Sequence, residues 1–187
     1  DRLSDDSARR VAALARARAD GVTTAADSRS AVRGADLVLC AVTADQTLAA
    51  ANATAPGLVP GTPYVDVNSA SPRTKIGCAA VVDAAGGRYV EAAVMTSVPP
   101  YGIGVPVLWG GPHAAAVAPL LAALGFRGEI AAETLGTASA IKMFRSVIVK
   151  GLEGIVIESF AAARRYGVER EVLASLAETF PGLDWER

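Results

Sequence analysis

The chain has 187 residues, 51% of them apolar and 20% charged, with a formal net charge of -1. That is long enough for one domain plus part of a second, and apolar enough to exclude a disordered chain. The balanced charge excludes a general attraction to nucleic acid or to an anionic membrane, and no apolar run is long enough for a membrane span. The opening residues, from Asp1-Arg2 to Asp5-Asp6, have the form of neither a signal nor a transit peptide. Cys40 and Cys78 lie in apolar surroundings and read as buried free thiols in a reducing cytoplasm. One histidine and two scattered cysteines do not form a zinc ligand set, so no metal is expected.

In chain order, residues 7–19 read as an Ala/Arg-rich helix, and residues 22–24 as a very short candidate strand. The apolar run at 35–42 (ADLVLCAV) reads as a strand, and residues 45–55 as a helix. A second strand is expected at 63–67 (PYVDV). The helix after it spans 72–85, with Ser71 as its cap and Pro72 in its first turn. Residues 88–94 (RYVEAAV) and 105–109 (VPVLW) give two more strands. A helix at 112–124 is expected to be kinked by Pro119, and a weaker strand follows at 126–131. From 135 to 165 there is no proline, and the stretch reads as one long helix ended by Gly167. A last helix at 169–180 stops at Pro181-Gly182.

Strands alternating with helices imply βαβ units, so the expected fold is α/β. It is a Rossmann-like, mostly parallel sheet followed by the start of an all-helical C-terminal domain. The boundary is expected near residue 132, giving a nucleotide-type domain at 1–132 and the helical part at 133–187. Asp66, Asp83 and Glu91 show no spacing that suggests paired-carboxylate catalysis. Along the long helix, with Lys142 as zero, Glu153, Ser146, Lys150 and Arg145 fall near about 20°, 40°, 80° and -60°. They form a polar stripe on an otherwise apolar helix. Such a stripe is either a solvated face or a way of aiming Lys142 into a cleft, where a partly buried ammonium can exchange a proton with a substrate hydroxyl.

The segments DLVLCAVT at 36–43, VDVNSASP at 65–72 and YVEAAV at 89–94 resemble the later half of the nucleotide domain of 3-hydroxyacid dehydrogenases. GTASAIK at 136–142 resembles their hinge into the helical domain. KMFRSVIVKGLE at 142–153 and FPGLDW at 180–185 resemble a particular branch of the 6-phosphogluconate and 3-hydroxyisobutyrate dehydrogenase superfamily. That branch has a phosphogluconate-dehydrogenase-like C-terminal domain of unknown function.

The resemblance implies an NAD(P)-dependent dehydrogenase or reductase, acting on a small hydroxy or oxo acid or a related substrate such as an imine, with Lys142 as proton shuttle. It departs from the family at two places. Ser146 stands where the family has asparagine, and Met95-Thr96-Ser97 stands where it has Ser-Gly-Gly. Thr96, Ser97, Arg145 and Ser146 are the candidate substrate contacts. Ligands of open α/β sheets lie outside the carboxyl ends of strands. This rule puts Asp1, Arg2, Val42, Thr43, Asn68 and Ser69 at the cofactor rim. Asp1 suits the ribose hydroxyl of NAD and Arg2 the phosphate of NADP, so the cofactor reads as NAD or NADP.

No GxGxxG precedes the first helix, so the chain is expected to lack the family's pyrophosphate-gripping segment and much of the helical domain. It is therefore expected to be inactive alone. The expected partners are a small-molecule substrate and a second copy, held as a homodimer through the C-terminal helices. The competing reading is a non-catalytic fragment or dimerisation module.

Overall fold

The computed structural model describes residues 7–182. The chain divides into two compact units, Asp1–Met143 and Phe144–Arg187.

The elements follow in chain order. Helices α1 (Ser7–Ala19) and α2 (Ser28–Ala31) come first, then β1 (Val38–Cys40), α3 (Thr47–Thr54), β2 (Pro63–Asp66) and α4 (Pro72–Ala84). Next are β3 (Arg88–Val94), the helical turn α5 (Val98–Tyr101), β4 (Pro106–Gly110), α6 (Ala114–Ala123) and β5 (Arg127–Ala132). The long helix α7 (Thr137–Tyr166) and α8 (Glu169–Thr179) are the last elements of the described residues. The described strands form one five-stranded sheet in the order β1-β2-β3-β4-β5. The pairings are parallel except for β3 with β4, which is antiparallel. The sequence-based expectation of a mostly parallel α/β sheet followed by a helical region is met.

Side-chain alternation along a strand explains why the central strands β2 and β3 are largely apolar on both faces. Tyr64 and Tyr89 point to one face, where they stack at 6.1 Å and pack with Cys78, Ala79 and Val82 of α4. Val65 and Val90 point to the other face and join Val107, Trp109, Val117 and Leu121. Each face has its own buried core, so neither can tolerate the regular polar positions of a half-exposed strand. Ser71 caps α4 as expected, its hydroxyl accepting the Thr74 N–H at 3.2 Å, with Pro72 in the first turn.

Local details differ from the sequence reading. Residues 22–24 belong to no strand. The run at 35–42 is a strand over only Val38–Cys40, because beyond Cys40 the chain turns away to Asn68. Val98–Tyr101 is a helical turn with a cis Pro99–Pro100 bond.

Two carboxylates interrupt the apolar core. Asp66 and Glu91 are both fully buried, and they are register partners on the adjacent strands β2 and β3. Like charges side by side are destabilising, and a buried charge is costly unless it is paired. Each must therefore draw in its own donors.

In the second unit, Gly167 ends α7 at a positive φ of 69°, and Arg164 bonds Glu169 at 3.0 Å across the junction to α8. Phe144, Val147, Ile148, Leu152, Ile155 and Ile157 of this part of α7 are exposed. Among the described residues, no helix is long and apolar enough to cross a membrane.

Candidate functional site

Asp66 ends β2 and collects four donors. Lys75, 1% exposed on α4, approaches its Oδ1 at 2.9 Å and also donates to its backbone carbonyl at 2.8 Å. The Tyr89 hydroxyl donates to Oδ2 at 2.7 Å. The backbone N–H and the side-chain amide of Asn68 donate to Oδ1 at 2.9 and 2.7 Å. Burial first, and then the Asp66 charge, push the Tyr89 phenol far above its usual range, so it remains a donor. With its lone pairs filled this way, the carboxylate fixes the turn that follows. Asn68 passes the constraint on: its Oδ1 accepts the Val42 N–H at 2.6 Å and its amide reaches the Cys40 sulfur at 3.3 Å. The loops after β1 and β2 are thus tied together at the carboxyl ends of the strands.

Glu91 turns its carboxylate to the start of α7. One oxygen accepts the Gly136 N–H and the other the Ser139 N–H, both at 2.6 Å. The Gly136 carbonyl accepts the first helical bond, from Ala140, so Gly136 is the N-cap and Ser139 the third helical residue. Those are the two donors that a local capping box satisfies. Here a strand residue 45 positions upstream does the same work. The helix dipole favours a carboxylate there. Gly136 has a φ of 88°, which side chains disfavour, and a Cβ on Gly110 would come within 2.9 Å of Glu91. Both glycines are therefore required by the clamp.

The two anchored elements are joined by a hydrogen bond in which Lys142 Nζ on α7 donates to Ser69 Oγ at 2.7 Å. Lys142 is half-buried, and burial first, then the positive charge of Lys75, hold its amine below the ordinary lysine range. The result is a partly desolvated amine, fixed at the carboxyl ends of parallel strands and able to exchange a proton nearer neutral pH than a free lysine.

Of the site residues expected from sequence, Val42, Asn68, Ser69 and Lys142 fall within this one hydrogen-bonded group. Thr43 is exposed and directly follows Val42. Asn68 is buried, and its side chain is used within the protein. Thr96 and Ser97 are exposed beyond the end of β3, and no hydrogen bond among the described residues joins them to the group. Arg145 and Ser146 lie on α7 in the second unit. Asp1 and Arg2 lie outside the described residues. Asp66, Lys75, Tyr89 and Glu91 were not among the expected site residues. The available signal was a lone carboxylate inside each of two apolar strands, PYVDV and RYVEAAV, since buried charges require partners.

The architecture has known relatives. The NAD-binding domain of 6-phosphogluconate dehydrogenase matches residues 4–133. The chain belongs to that family. A conserved hypothetical protein from Sinorhizobium meliloti 1021 is 43% identical, with a TM-score of 0.80 over 99% of this chain and 62% of that one. The conserved protein MTH1747, whose structure is described as similar to 3-hydroxyacid dehydrogenases, is 32% identical, with a TM-score of 0.74 over 90% of this chain and 63% of that one. An uncharacterized 28.5 kDa protein of Methanothermus fervidus is 31% identical over 85% of this chain and 60% of its own. The chain thus spans about three fifths of the length of the relatives it matches. Membership of the NAD-binding family agrees with the expectation of NAD or NADP as cofactor.

Breaking a buried pair leaves an uncompensated charge, so Lys75→Met is expected to lower stability by about 3–5 kcal/mol in urea unfolding. With the neighbouring positive charge gone, Lys142 should titrate at higher pH in the same variant. Unchanged stability would mean that Asp66 does not depend on Lys75.

Proposed function

We propose that the protein containing this chain is an NAD(P)-dependent oxidoreductase. It interconverts a small hydroxy acid and its oxo acid, or reduces a related imine, with Lys142 as the proton shuttle. The observation that carries this reading is the half-buried Lys142 amine, its proton affinity lowered, held by Ser69 beside the strand ends.

Val42, Thr43 and Ser69 are exposed at the carboxyl ends of β1 and β2, where ligands of open α/β sheets lie. They fit the rim of a dinucleotide site. The constraints on Asn68 and Val42 give that rim a fixed shape, which lowers the ordering cost of binding. The 187 residues contain no GxGxxG, so this chain by itself is expected to be inactive. NAD(P), when bound, supplies the two-electron hydride chemistry. Lys142 takes the hydroxyl proton in the oxidising direction and returns it to the carbonyl oxygen or imine nitrogen in the reducing direction. Thr96 and Ser97 orient substrate through their hydroxyls. Arg145 pairs with a carboxylate or phosphate, and Ser146 supplies a hydrogen bond in place of the family's asparagine.

Two proteins that share the fold supply probes. They are the 3-hydroxyisobutyrate dehydrogenase of Mycobacterium tuberculosis, solved with L-serine, and an imine reductase of Myxococcus stipitatus, solved with NAD+. Their identities of 19% and 20% support the fold alone. Turnover by the full-length protein should be measured with 3-hydroxyisobutyrate, L-serine and a cyclic imine. Lys142→Ala is expected to cut it about 10²–10⁴-fold, the usual loss of one general acid or base. Cofactor affinity should change little. Wild-type turnover in the variant would assign Lys142 to structure alone.

A homodimer through the C-terminal helices belongs to the same reading. Its support is the exposed apolar surface of α7 from Phe144 to Ile157, of a kind that marks protein contacts. Light scattering on the full-length protein is expected to give twice the monomer mass, and a monomer at every concentration would remove the dimer.

A further inference from the structure

We propose that Ser69 is the positioning residue of Lys142. Its hydroxyl holds the lysine amine in both protonation states and ties the amine's position to the buried Asp66 cluster. This rests on the reading of Lys142 as proton shuttle and assigns Ser69 a role other than cofactor contact.

The geometry supports it from both sides. Ser69 follows Asn68, which is held at three polar atoms by Asp66 and Val42. It is the central residue of a tight turn in which the Ala70 N–H returns to the Asn68 carbonyl at 3.0 Å, and Ser71 then caps α4. The hydroxyl is therefore exposed but carried on a rigid loop. Lys142 lies three residues after Ser139, whose N–H Glu91 clamps, so its backbone is equally fixed. A bond of 2.7 Å between residues 73 apart in sequence joins two independently anchored elements.

A hydroxyl suits this task. It accepts from an ammonium and, by rotating about its own Cβ–Oγ bond, donates to a free amine. A carboxylate in the same place would hold the ammonium and raise its proton affinity, which opposes proton transfer. Among the charged groups around Lys142, Lys75 on α4 repels it. The Asp66 carboxylate on β2 is occupied by Lys75, Tyr89 and Asn68, and Glu91 on β3 by the start of α7. Ser69 leaves the remaining amine protons for substrate without adding a counter-charge.

The test is lysine NMR on the full-length protein labelled at lysine Cε. The Lys142 signal is assigned by its loss in Lys142→Arg, and wild type, Ser69→Ala and Ser69→Thr are compared. Because a hydrogen bond to the ammonium is stronger than one to the free amine, its loss should lower the Lys142 titration midpoint in Ser69→Ala. It should also raise the mobility of the Cε group. Ser69→Thr should keep wild-type values, and the other lysines should not move. A Lys142 midpoint and mobility that are the same in wild type and Ser69→Ala would overturn the proposal whether or not the protein proves to be an oxidoreductase. A shift in Ser69→Ala together with full turnover in Lys142→Ala would uphold the positioning and reject the shuttle. No shift together with lost turnover in Lys142→Ala would do the reverse.

Discussion

The structure of the site depends on two carboxylates that share one register position. Asp66 and Glu91 lie side by side on β2 and β3, both fully buried. Each must be neutralised locally, and the groups that do so belong to different elements. Asp66 takes Lys75 of α4, Tyr89 of β3 and the turn at Asn68. Glu91 takes the first turn of α7. The polar groups in the core thus fix the positions of the loop after β2 and of the helix that carries Lys142. A purely apolar core would be cheaper, but it would leave both elements free to slide, since apolar contact is not directional. Coordinated hydrogen bonds select one arrangement.

The proposed function rests on where those elements end. The carboxyl ends of parallel strands are where an open α/β sheet offers its crevice, and the tied loops after β1 and β2 lie there, where the proposed function puts the cofactor rim. A lysine brought there by a clamped helix loses hydration and feels Lys75, so its proton becomes easier to release. Asp66 thereby acts twice, shaping the rim through Asn68 and holding near Lys142 the charge that tunes it. The NAD-binding family to which the chain belongs gives this arrangement its cofactor.

Much of this was legible in the sequence. The strands at Pro63–Asp66 and Arg88–Val94, the helix at Pro72–Ala84 with its Ser71 cap and the long helix to Tyr166 follow from apolar runs, capping residues and the absence of proline. Lys142 stood out only because the surrounding helix resembles a family hinge, since its polar stripe alone fits a solvated face equally well. The clamp was not legible. Asp66 pairs with a lysine nine positions on, and Glu91 caps a helix 45 positions on. Neither spacing recurs in any local pattern, because strand register and helix packing create both contacts. The two-proline segment at 98–101 was equally opaque, since proline suits a rigid loop and the first turn of a helix alike.

In the proposed function, the Asp66 and Glu91 anchors place Lys142 at the reacting end of a dinucleotide site. A crystal structure of the full-length protein with NAD(P) and a bound hydroxy acid tests it most directly. The expected result is a nicotinamide over the carboxyl ends of β1 and β2, the Ser69–Lys142 bond intact, and Lys142 Nζ within about 3 Å of the substrate oxygen. A cofactor bound elsewhere, or a Lys142 turned away from both Ser69 and substrate, would contradict it.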